Sequence, residues 1–302
     1  MGARGREFGS NVIGRLRELG VEQGRIGIAG LAGTTRVPDG TVPYGMFMNL
    51  RQAFPEAELL DASALLDEVR VIKSAEEITF LERGLELVEG AIEVLTREAR
   101  PGLAEVDVYM DMLASMVKGG GELPTMLLWS AGWPQPSRNY MLPSQRKLAK
   151  GDIIGCEIDG NYGGYRAQVT CNVILGHAPP QYVDMFRIQQ EALQRCYEHL
   201  RPGAKMGDFM AICERAAAGT AFTCRLIMHS RGTGDDGPMI IFGNRDPRVI
   251  NWPIEENNVF ILKPMVWTGE WEQWVCWGDT VVVTADGPRR LGKLPAQLIE
   301  IV

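Results

Sequence analysis

The chain has 302 residues, 45% of them hydrophobic and 23% charged, with a formal net charge of −7. That is the composition of an ordinary globular chain, with room for two modest domains or one large one. The acidic balance excludes a general nucleic-acid binder, which needs basic surface to neutralise phosphates, and no apolar run reaches the roughly 18 residues of a membrane span.

The opening "MGARGREFGS" lacks the apolar stretch of a secretory signal. Residues 11–21, "NVIGRLRELGV", predict a helix stopped by Gly20, and "RIGIAG" (25–30) a short strand. A helix over 44–54 and a strand over 57–63 continue the alternation, which is that of a small α/β unit. Ser74 followed by Glu77 has capping-box spacing and opens a long helix that Pro101 and Gly102 end. The domain boundary is expected near residue 72, giving an α/β domain over 1–72 and a second domain over 73–302.

The second domain carries an internal echo. Helices ending at "REARPG" and "EHLRPG" are each followed by a short linker, an acidic residue and another helix, with Arg100 and Arg201 about one hundred residues apart. A β-rich stretch follows each pair, at 152–176 and 258–286. Two α-α-β-β halves related by a pseudo-twofold, with a site at their interface, fit this pattern.

Within the first β-stretch, "CEIDGNYGGYRAQVT" (156–170) predicts a hairpin turning at "NYGG". Strand alternation puts Glu157 and Asp159 on one face, and Arg166, Gln168, Thr170 and Asn172 on the matching face of the return strand. In the second stretch Lys263 interrupts the apolar run "VFILKPMVW", where a buried ammonium needs a partner or a function. Trp267, Trp271, Trp274 and Trp277 follow; they supply core, a dimer surface or a pocket wall. In "RGTGDDG" (231–237) the glycines lack the context of a nucleotide motif, and Asp235 and Asp236 read as polar loop residues. The cysteines Cys156, Cys171, Cys196, Cys213, Cys224 and Cys276 show no CxxC spacing and read as reduced thiols of a cytoplasmic protein. His177, His199 and His229 are too few for a histidine-built metal site.

The order and spacing of "LLDEVRVIKSAEEITFLERG", the hairpin, "RGTGDDGP", "NNVFILKPMVW" and "VCWGDTVVVTADGPRRL" resemble the creatinase/aminopeptidase P/prolidase family, peptidase family M24. The resemblance implies an α+β pita-bread fold, in which duplicated halves share a curved antiparallel sheet covered by helices. It also implies a homodimer and a small N-terminal α/β domain, usually longer than the part apparent here. Metal-dependent members hold two divalent ions with Asp, Asp, His, Glu and Glu. Position by position, these fall on Glu157, Gln168, Arg231, Lys263 and Gly278, and a further family histidine falls on Tyr140.

None of the five ligands keeps its identity. Dinuclear sites need several anionic donors, whereas Arg231 cannot deprotonate and Gly278 has no side chain. The resemblance therefore implies a divergent member without metal or other cofactor, of creatinase type: a metal-independent hydrolase or lyase. Its substrate would be a small polar, carboxylate-bearing molecule cut at a C–N or related bond. Glu157, Lys263 and Tyr140 are the candidate catalytic residues. Arg231, Gln168, Asp159, Arg166 and His229 are the candidate substrate-binding residues. The alternatives are a pseudoenzyme that binds a small ligand or a protein partner, and a purely structural role in which Lys263 and Arg231 replace the metals' charge and tie the halves together. No nucleic-acid or membrane partner is expected.

Overall fold

The computed structural model describes residues 8–32, 39–136, 142–242, 245–269 and 272–302. The chain divides into two compact units, 1–70 and 71–302.

In the first unit α1 (Phe8–Glu18), β1 (Gly24–Ile28), α2 (Tyr44–Ala53), β2 (Ala57–Asp61) and α3 (Ser63–Val71) alternate. The two strands pair in parallel, as a βαβ crossover requires. Ile26, Leu50 and Phe54 form its core. The helix α3, ahead of the Ser74 cap, is an element additional to those expected from the sequence.

The second unit opens with α4 (Ala75–Glu98). Its capping box is complete: the Ser74 side chain accepts from the Glu77 amide while the Glu77 carboxylate accepts from the Ser74 amide. Then follow α5 (Glu105–Lys118), β3 (Leu127–Gly132), β4 (Ile153–Tyr162) and β5 (Tyr165–Leu175). The second half is α6 (Pro180–His199), α7 (Asp208–Ala216), β6 (Thr223–Ser230), β7 (Met239–Ile241), α8 (Pro247–Ile250), β8 (Val259–Thr268), β9 (Gln273–Cys276) and β10 (Asp279–Thr284). Two short strands, β11 (Gly287–Arg290) and β12 (Ile299–Ile301), close the chain.

The strand orders are β12-β5-β4-β3 and β11-β10-β8-β6-β7, with β9 pairing to β8. In each half an outer strand, a middle strand and an inner strand follow a helix pair: β3, β4, β5 in one and β6, β8, β10 in the other. The inner strands meet where Thr170 and Gly278 exchange backbone hydrogen bonds. Thr280 reinforces the seam, its hydroxyl accepting from the Gln168 amide at 3.0 Å and donating to the Gln168 carbonyl at 2.8 Å.

The hairpin turns at Gly163 and Gly164, whose φ of +59° and +81° are the left-handed values that a two-residue type I′ connection needs. Its register sets Asp159 opposite Gln168 and Glu157 opposite Thr170, so the expected polar face forms. The opposite face, with Cys156, Ile158, Ala167, Val169 and Cys171, joins the main apolar core under the helices. Because period-2 alternation ties the two faces together, burying one face against α4 fixes which residues line the other. All six thiols are buried and unpaired by disulfides; burial pushes the Cys171 thiol up to about 12 and the Cys156 thiol well up, and the hydrogen bond with Cys196, more than burial, raises Cys213. Trp267, Trp274 and Trp277 are buried, and Trp271 lies outside the described residues. Among the described residues, no helix is long and apolar enough to cross a membrane.

Candidate active site

The middle strands β4 and β8 carry Glu157 and Lys263, and the seam brings them together. Lys263 Nζ donates to Glu157 Oε1 at 2.7 Å and to Gln168 Oε1 at 2.8 Å. The Gln168 amide nitrogen donates in turn to Glu157 Oε1 at 3.0 Å and to Asp159 Oδ1 at 2.9 Å. One amide thus joins two carboxylates that would otherwise repel each other, and its oxygen faces the ammonium. Thr125 Oγ1 donates to the second oxygen of Asp159 at 3.0 Å.

Arg231, just past the end of β6, extends the chain of charge. Its Nη2 stands 2.9 Å from Asp159 Oδ1, its Nη1 donates to Asp235 at 3.0 Å, and its Nε donates to the Arg166 carbonyl at 3.0 Å. Burial works against the guanidinium's charge, but Asp159 and Asp235 outweigh it and hold the residue more firmly protonated than usual. Two of the three guanidinium nitrogens donate to protein groups, and Nη2 stands against Asp159 with no hydrogen-bond partner among the described residues. Arg166 is better placed to grip a substrate carboxylate. It sits on the same face, is half-buried, and its Nε has no hydrogen-bond partner among the described residues.

His229 is fully buried on the β6 face that also carries Arg231. Its Nδ1 stands 2.8 Å from Asp235 Oδ1. Burial first, and then the Lys263 charge, push its pKa down to about 4, so the ring is neutral at pH 7. Facing a carboxylate, the neutral ring carries its proton on Nδ1, and Nε2 has no partner among the described residues. Asp235 therefore serves two side chains. Asp236, 4% exposed, pairs with buried Lys73 at 3.5 Å and accepts from the Thr233 amide at 2.9 Å. This corrects the reading of both aspartates as loop polarity: they are tied into buried polar networks that organise the "RGTGDDG" loop.

Six of the eight candidate residues, Glu157, Asp159, Gln168, His229, Arg231 and Lys263, form one buried network, and Arg166 borders it. Tyr140 lies outside the described residues. Sequence patterning missed Asp235, Thr125 and Thr280 because each reaches the network from a loop or another strand and carries no periodic signature of its own.

The donor set does not fit two divalent ions. An ammonium and an amide already converge on Glu157 Oε1, and a guanidinium stands against Asp159. At Gly278 even a Cβ would lie 2.4 Å from Lys263 Cγ, so a carboxylate side chain has no room there. Among the described residues no group of three or more His, Cys, Asp or Glu gathers in a way that could hold a metal ion.

The sequence profile described as metallopeptidase family M24 matches residues 80–285. The Xaa-Pro dipeptidase of Pyrococcus furiosus is 22% identical over 264 residues, covering 86% of this chain and 74% of that protein. The creatinase of Bacillus sp. (strain B-0618) is 23% identical over 202 residues, 65% of this chain and 47% of that one. Among solved structures, the X-Pro aminopeptidase from Thermotoga maritima superposes with a TM-score of 0.80 at 19% identity, over 99% of this chain and 81% of that one. A dipeptidase from Pyrococcus horikoshii gives 0.80 at 20% identity, over 98% and 79%. The fold is the pita-bread fold that these share.

Proposed function

The chain belongs to metallopeptidase family M24, and from that premise we propose that it is a hydrolase of creatinase type that works without a metal. It would cut a C–N bond in a small polar substrate bearing a carboxylate. The carrying observation is the buried network itself. At the positions where relatives would hold ions, Lys263 and Arg231 supply the positive charge, and Glu157, Asp159 and Asp235 balance it. The likeness to a protein named creatinase supports the choice of bond.

In this reading Glu157, paired with the Lys263 ammonium at 2.7 Å, is the general base. Lys263 holds that carboxylate in place and offsets negative charge that develops on the substrate. Arg166 receives the substrate carboxylate, with Gln168, Asp159, Arg231 and His229 fixing the surrounding polar wall. Tyr140 assists the second proton transfer, from Glu157 to the departing nitrogen. The protein works as a homodimer on a free small molecule.

A second reading rests on one observation: nearly every charge in the network is already answered by another. A network so closed suits a protein that binds a ligand or partner without turning it over, its ion pairs serving to hold the two halves together.

The discriminating experiment incubates chelator-treated protein with a panel of N-acyl-, N-carbamoyl- and N-amidino-amino acids and follows release of the amine or urea. Hydrolysis that survives chelation supports the enzyme reading. Activity that disappears on chelation and returns with manganese or cobalt sinks its metal-free part, and inertness towards the whole panel favours the binding reading.

A further inference from the structure

Beside Glu157, on the side away from Arg231, lies a small cavity of about 20 Å³, room for about one water molecule. Leu128, Ser130, Gly155, Glu157, Thr170 and Trp274 line it. Its origin is legible in the strand register. Ser130 on β3 sits opposite Gly155 on β4, while Glu157 on β4 lies between Leu128 on β3 and Thr170 on β5. All of these side chains emerge on one face of three adjacent strands. Gly155 contributes none, which leaves a recess. The Trp274 indole closes it so tightly that a Cβ on Gly155 would lie 2.1 Å from its Cη2.

Two hydroxyls in this wall are unanswered. Ser130 Oγ and Thr170 Oγ1 have no hydrogen-bond partner among the described residues, and the two side chains belong to residues only 4% and 1% exposed. Buried hydroxyls without partners are costly, and here both line the same cavity as a carboxylate. The charge balance selects the occupant. A cation would meet a carboxylate already neutralised by Lys263 at 2.7 Å. An anion would meet that carboxylate directly. An apolar group would strand both hydroxyls. A neutral molecule with two donors and two acceptors answers all three oxygen groups.

We propose that this cavity seats the water that attacks the substrate, held by Ser130 and Thr170 and activated by Glu157. The inference rests on the hydrolase reading above. In the step, the Glu157 carboxylate takes one proton from the water as its oxygen bonds to the carbon of the C–N bond. The proton then passes to the departing nitrogen as that bond breaks with its electron pair. One water is consumed, the products are the amine and the acid, carbamate or urea formed from an acyl, carbamoyl or amidino group, and Glu157 returns to its ionised form.

The test uses the full chain. A crystal structure at a resolution that shows waters is expected to give one peak within hydrogen-bond distance of Ser130 Oγ, Thr170 Oγ1 and a Glu157 oxygen. Ser130→Ala combined with Thr170→Val removes two hydroxyls without adding bulk, and the peak should vanish while the melting temperature holds. On whichever panel member the wild type hydrolyses, the double variant should lose at least tenfold in kcat with KM unchanged, and Thr170→Ser should retain activity. A dry cavity in an active enzyme, a peak that persists in the double variant, or an unchanged kcat overturns the water seat and leaves the hydrolase reading standing. An ordered water in a protein inert to the panel overturns its role as nucleophile together with the hydrolase reading.

Discussion

Lys263 and Glu157 stand at the middle strands of opposite halves and meet across the seam at 2.7 Å, with the two residues only 1% and 5% exposed. Neither charge reaches bulk solvent, so each depends on the other. Lys263→Met should therefore strand a buried carboxylate and cost about 3–5 kcal/mol. Adding Glu157→Gln should recover most of that loss, because a missing pair is far cheaper than a broken one. Urea unfolding of the two single variants and the double variant measures the coupling.

Glu157→Gln alone leaves the buried Lys263 without its counter-charge and should lose stability, but it keeps an oxygen to accept from Lys263 and Gln168, so it should still fold. It removes the only function an amide cannot perform, taking a proton. Turnover is expected to fall by about 10²–10⁴-fold with the circular dichroism spectrum unchanged. Equal activity in the variant would take the base role away from this residue.

His229 predicts an acid-sensitive step. Its pKa lies at about 4 when folded, against an ordinary value of 6.5. Between these values the unfolded chain binds a proton that the folded chain refuses, so stability is full above pH 6.5 and declines as the pH falls towards 4. The contribution is about 3 kcal/mol. Denaturant titrations of wild type and His229→Gln across this range should differ in slope, with the variant the flatter.

Gly278→Ala tests the seam sterically. The new methyl would lie 2.4 Å from Lys263 Cγ and 3.1 Å from Thr170 Oγ1, so the lysine stem must shift. A loss of about 1–3 kcal/mol is expected. Lys263→Ala in the same chain should relieve the clash, and the two effects should then be strongly non-additive.

The parts of the site that were legible in the sequence are those governed by local rules. Alternation along one hairpin places Glu157, Asp159 and Gln168 together because its turn fixes the register, and a lysine inside an apolar strand announces its own burial. The rest depends on contacts between distant segments. Lys73 finds Asp236 163 residues away, and Ser130 reaches the cavity only because β3 pairs with β4. Asp235 is close in sequence to both its partners, but nothing in "RGTGDDG" says the loop folds back on His229 and Arg231. The helix α3 escaped because its nine residues carry no cap signal of their own, whereas the Ser74 capping box announces α4.

The space filled by the Lys263 stem beside Gly278 also ties two positions together. An acidic side chain at position 278 would collide with the lysine, and removing the lysine first leaves a buried carboxylate without its counter-charge. Each single step away from the present arrangement is uphill, so the two positions are locked to one another. A designer who wished to place a carboxylate at position 278 would have to change both residues at once.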